Sequence, residues 1–170
     1  MKNLILGALL LLSTFSISQN NLKLFYTKDV MTDKEYITPS EYLLCSEDGK
    51  KGFIIKTTFD ISKSGIIQYS GFIIQSAGIG GCMENDEVII LFEDGTKISS
   101  KSWNDFNCKG VSYFDLYQKL LKDLNKKIKA IRLTNGRSYE SYTYELKTDD
   151  EKNYFIYINE LIINQKYEKK

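Results

Sequence analysis

The chain contains no histidine among its 170 residues. That absence removes Ser-His-Asp and Cys-His catalysis, His-ligated zinc, and imidazole acid–base chemistry near neutral pH. An enzyme built from this sequence would have to work with carboxylates, a lysine, a tyrosine or an activated cysteine. Proline is nearly absent, with Pro39 alone, and glycine is sparse at 11. A long disordered linker is therefore not expected. Charge of one sign is also lacking, since 23 basic residues face 22 acidic ones. With no basic surplus to neutralise phosphates or anionic lipids, neither a nucleic-acid partner nor electrostatic capture at a membrane is expected.

What is present begins at the N-terminus. Lys2 precedes an unbroken apolar run, Leu4 to Leu12, and Ser13, Thr14, Ser16 and Ser18 follow. A positive start, a short apolar centre and small residues at −3 and −1 describe a signal peptide cleaved after Ser18. The run is shorter than the roughly 20 apolar residues that span a bilayer. Removing 1–18 leaves a single domain, 19–170, of 152 residues with 22 basic and 22 acidic side chains. That length can bury a core unaided. No later apolar run is long enough to span a membrane, and no cysteine closely follows the first run to carry a lipid. The expected location is periplasmic or extracellular.

Short apolar segments alternate with turn signals every 8 to 15 residues over the first two thirds of the chain. They are Leu24–Tyr26, Tyr36–Ile37, Tyr42–Cys45, Phe53–Asp60 and Ile66–Ser76. Such spacing, with abundant Tyr and Ile, predicts antiparallel strands in a sandwich or a strongly curled sheet. Val88–Phe92 and Thr96–Lys101 flank Asp94-Gly95, a two-residue hairpin signal. Cys82 and Cys108 lie about 13 residues on either side of that turn, so they meet near the open end of one hairpin. A Cys82–Cys108 disulfide follows, and it reads as a structural clamp because redox-active pairs are usually close in sequence. Cys45 ends an apolar strand and reads as a buried free thiol.

Two segments carry helical spacing. Tyr117, Leu120, Leu121 and Leu124 recur at i, i+3, i+4, i+7, which predicts a short helix near 115–126. Thr148 with Glu151 forms a capping box for a C-terminal helix from Asp149 to about Gln165, packing on the first. Residues 164–170 read as a solvated tail. Between the helices, Ile128–Leu133 and Ser138–Leu146 flank Asn135-Gly136, a second hairpin signal. A two-residue loop there sets Arg132 across from Tyr139, as a stacked pair or as an anion site beside the turn.

Other candidates each carry a plain structural alternative. Gly78-Ile79-Gly80-Gly81 precedes acidic residues and a strand, so it reads as a flexible crossing loop rather than a phosphate cradle. Glu84-Asn85-Asp86-Glu87 lacks EF-hand spacing and reads as solvated loop charge. Trp103, the only tryptophan, either caps the core over the disulfide or contacts a sugar or protein partner. Tyr139, Tyr142 and Tyr144 form either a binding surface, with Tyr142 and Tyr144 on one strand face, or ordinary packing.

The sequence therefore predicts an α+β, mainly β fold: an antiparallel β-sandwich or strongly curled sheet with a short helix near 115–126 and a C-terminal helix. It predicts an exported, non-catalytic binding module whose partner is an envelope protein or a glycan. The binding candidates are Trp103, Arg132, Tyr139, Tyr142 and Tyr144. Neither a catalytic set, a metal nor a cofactor is expected. The rival readings are a small carboxylate-dependent hydrolase and a structural envelope component.

Overall fold

A computed structural model describes residues 22–62, 67–115, 123, 125–164 and 167–169. The fold is mainly antiparallel β with two short helices. The first sheet has the order β11 (Tyr167–Lys169), β1 (Leu24–Lys28), β2 (Glu35–Pro39), β4 (Gly52–Ile61), β5 (Ile67–Ala77), β8 (Val111–Phe114). In it β3 (Leu43–Ser46) lies beside β2 on the same edge of β4. The second sheet has the order β10 (Ser141–Glu145), β9 (Ile128–Thr134), β6 (Glu87–Phe92), β7 (Lys97–Lys101).

Period-two alternation sets which side chains go inward. On β4, Phe53, Ile55, Thr57 and Phe59 are buried while Ile54, Lys56 and Thr58 are half-buried. On β6 the buried positions are Val88, Ile90 and Phe92. These faces join Phe72 and Ile74 of β5 and Ile131 and Leu133 of β9 in one hydrophobic cluster fed by both sheets. Cys45 lies fully inside it as a free thiol. Burial, and secondarily the Glu151 carboxylate, push its pKa well up.

The sheets also meet at an edge. Immediately after β7, Ser102 bridges Phe114 of β8, and the Trp103 N–H donates to the Tyr113 carbonyl at 3.0 Å. The edge strand of one sheet is thus stitched to the edge strand of the other, which leaves neither open there.

The Thr148 hydroxyl accepts from the Glu151 N–H, and Glu151 reaches back to the Thr148 N–H, completing the capping box of α1 (Asp149–Lys152). The helix expected from Asp149 to Gln165 is, however, broken at Asn153 and resumes as α2 (Tyr154–Ile163). The Asn153 side chain donates to the Asp149 carbonyl at 2.7 Å, and Asn164 does the same to Glu160 where α2 ends. These asparagine amides engage carbonyls of the preceding turn at the points where the helices stop. Tyr154, Phe155 and Ile158 bury the face of α2. The expected solvated tail is also corrected, since Tyr167–Lys169 pairs in parallel with β1. The helix predicted near 115–126 falls mostly outside the described residues. No helix among the described residues is long and apolar enough to cross a membrane.

Candidate functional site

Three loops converge beside the disulfide: 78–86, 102–110 and 135–140. Cys82 and Cys108 are bridged, as their placement about the hairpin predicts. Met83 and Asn107 pair as an isolated bridge next to it, with backbone bonds of 2.7 and 3.1 Å. The hairpin itself differs in detail from the two-residue expectation. Residues 93–95 make a three-residue turn in which Gly95 alone takes positive φ, at 82°. Asp94 instead accepts from the Thr96 N–H and hydroxyl.

Under the three loops lies a buried polar hub. Asp86 is fully buried, not solvated as the acidic run suggested. Its carboxylate accepts from the Gly136 N–H at 3.0 Å and from the Ser112 hydroxyl. Its backbone exchanges hydrogen bonds with Ser102, the Asp86 N–H donating to Ser102 Oγ and the Ser102 N–H to the Asp86 carbonyl. Asn135 is equally buried. Its amide donates to the carbonyls of Ile79 and Cys82 at 3.2 and 3.0 Å, and its oxygen accepts from the N–H groups of Arg137 and Ser138. Buried polar groups satisfied from several directions fix loop geometry. Gly136 is required by space, because a Cβ there would lie 2.2 Å from the Asn85 carbonyl oxygen.

This hub explains two departures. The glycine loop 78–81 is tied rather than free: Ile79 is buried, and the Gly80 N–H donates to Glu140 at 2.9 Å. Asn135-Gly136 is not a two-residue turn, because the Asn135 side chain is committed to the hub and the loop spans 135–140. Arg132 therefore faces Thr143 rather than Tyr139, and its Nε donates to Thr143 Oγ1 at 2.9 Å.

Above the hub the loops present aromatic side chains to solvent. Trp103 is 68% exposed and does not cap the core. Its ring lies 5.3 Å from that of Tyr113 on β8, tilted by 39°. Phe106 is exposed, with the Arg137 guanidinium 4.9 Å over its ring. Tyr139 is 82% exposed, in a left-handed conformation at φ 60°. The other two candidates are part of the packing. Tyr144 is buried, and its hydroxyl donates to Glu151 at 3.0 Å. Tyr142 is half-buried, edge-on to Phe53, and its hydroxyl accepts from the Glu47 N–H at 3.2 Å. The structure thus brings Trp103 to an exposed aromatic surface on the pinned loops and leaves Tyr139 exposed on loop 135–140. Arg132 lies on the outer face of β9, and Tyr142 and Tyr144 turn inward. Sequence reasoning missed Tyr113 and Phe106. The signal for Tyr113 is the alternation Val111-Ser112-Tyr113-Phe114, a strand too short to stand out.

Comparison with protein-family models, curated proteins and solved structures finds no match for this chain.

Proposed function

We propose that the protein is an exported, non-catalytic binding module whose ligand contacts the aromatic surface around Trp103. The observation that carries this reading is Trp103 itself. A large ring is held out to solvent on a loop fixed by a disulfide, a buried hub and a backbone bond to β8. Rigid aromatic side chains give large contact area at little entropic cost on binding. Export rests on the N-terminal pattern, and a disulfide suits an oxidising compartment.

The test is capture. Residues 19–170, prepared oxidised and immobilised, should retain a specific envelope protein or glycan. Trp103→Ala should lose at least tenfold in affinity with an unchanged melting temperature. Retention that Trp103→Ala leaves intact would remove this surface as the contact, and no specific retention at all would remove the binding reading.

A further inference from the structure

Resting on that binding reading, we propose that the ligand is a carboxylate-bearing glycan laid across the outer face of the first sheet, with Lys56 reading its charge. The strand register builds the surface. Lys56 of β4 is paired with Ile73 of β5, and Ile73 with Tyr113 of β8. Trp103 follows through its bond to Tyr113. On the other side Leu43 pairs with Ile55, which sets Tyr42 beside Lys56. Directly opposed residues point to one face, and contacts agree. The Lys56 ammonium lies 5.1 Å over the Tyr42 ring, and the Trp103 and Tyr113 rings are 5.3 Å apart. The result is one row, Tyr42–Lys56–Ile73–Tyr113–Trp103, in which Tyr42, Tyr113 and Trp103 are all exposed.

The chemistry of the row selects the class of ligand. Pyranose rings offer flat C–H faces to aromatic rings and hydroxyl edges to polar side chains. Here rings stand at both ends of the row, and Gln75 lies beside the centre, accepting from Lys56 Nζ at 3.2 Å. Lys56 forms no ion pair among the described residues. It is the only charge in the row, so a carboxylate on the ligand would be its counter-ion. Size argues the same way. Four strand spacings of about 4.8 Å give a strip about 19 Å long. Two side-chain rows deep, it covers on the order of 250 Å², against about 800 Å² per partner for a standard protein interface. A short oligosaccharide fits that strip.

Trp103 is the chain's only tryptophan, so its fluorescence reports occupancy of the row. Oxidised 19–170 is titrated with a galacturonate hexamer, a neutral glucose hexamer, and peptide-free peptidoglycan strands, which carry a lactyl carboxylate on alternate sugars. We expect an acidic ligand to bind at least tenfold more tightly than the neutral hexamer, with the gap shrinking at high salt. Lys56→Gln should bring the ratio near one and Lys56→Arg should keep it. Tyr42→Ala, which leaves the fluorophore intact, should weaken the acidic hexamer at least threefold but not a disaccharide. Each variant is checked by its melting temperature. Equal affinity for acidic and neutral hexamers, or a preference that survives Lys56→Gln, overturns the charge assignment. No response to any of the three glycans overturns the glycan proposal. If the immobilised protein then still captures a protein that Trp103→Ala loses, the binding reading stands without it; if it captures nothing, both fall.

Discussion

Two loop regions expose large apolar side chains, and they are built differently. At the turn between β1 and β2, Val30 and Met31 are 89% and 91% exposed. Every hydrogen bond described for that turn is local. Asp29 Oδ1 accepts from Met31 and Thr32, the Asp29 N–H donates to the Lys34 carbonyl, and Lys28 reaches Asp33 across the surface. At the disulfide, Trp103, Phe106 and Tyr139 are comparably displayed, but their loops are tied to one another by a covalent bridge and by Asp86 and Asn135. Exposure alone does not mark a binding surface. Exposed apolar groups held by long-range, buried bonds are pre-organised, whereas those on a locally closed turn must be ordered when a partner arrives.

The largest way to break this contrast is to remove the bridge. Cys82→Ala with Cys108→Ala releases a loop closed over 26 residues, for which the chain-entropy model gives about 3.5 kcal/mol of lost stability. Denaturant unfolding of the double variant measures it. A loss under about 1 kcal/mol would mean the hub alone holds the loops. Asp86→Ala strands the Gly136 N–H and the Ser112 hydroxyl, and the expected cost is about 3 kcal/mol. The same measurement reads it; Ser102 keeps its two bonds to the backbone of residue 86, so Trp103 fluorescence should hold.

Alkali tests the core that both regions share. Burial, with Glu151 adding to it, raises the pKa of Cys45 and of Tyr144, and burial raises that of Tyr154. In each case the neutral form is favoured in the folded state. Stability is therefore full below the unfolded-chain values, roughly 8.5 for Cys and 10 for Tyr, and falls as pH rises through them toward the folded values. A urea midpoint that is flat to about pH 8 and declines above about pH 9 is expected, and Cys45→Ala should delay the onset. A midpoint insensitive to pH up to 11 would contradict this. The smallest effect belongs to the turn. Val30→Ser with Met31→Ser should change stability by less than about 0.5 kcal/mol and leave ligand binding unaltered. Loss of binding in that variant would reverse the comparison.

The same contrast explains what the sequence made legible. The disulfide could be read because it depends on one local hairpin and a count on either side of it. The Thr148–Glu151 capping box is local in the same way. Asn135-Gly136 misleads for the opposite reason. Its turn code is local, but the Asn135 side chain is claimed by carbonyls more than 50 residues away, and the loop lengthens to allow it. For Tyr142 and Tyr144, alternation gives a shared face without saying whether that face is the inner one. The row from Tyr42 to Trp103 lies beyond sequence reading altogether, because its members come from separate strands aligned only by register. Val111–Phe114 went unread because four residues give too short an alternation to recognise.

Cys45 has a practical consequence. It is the only unpaired sulfhydryl in the chain and is sealed in the core with no accessible surface. A thiol reagent can reach it only when the structure around it opens. Its modification rate under native conditions is therefore an intrinsic clock for core opening, set by the equilibrium population of the open form whenever reclosing outpaces labelling.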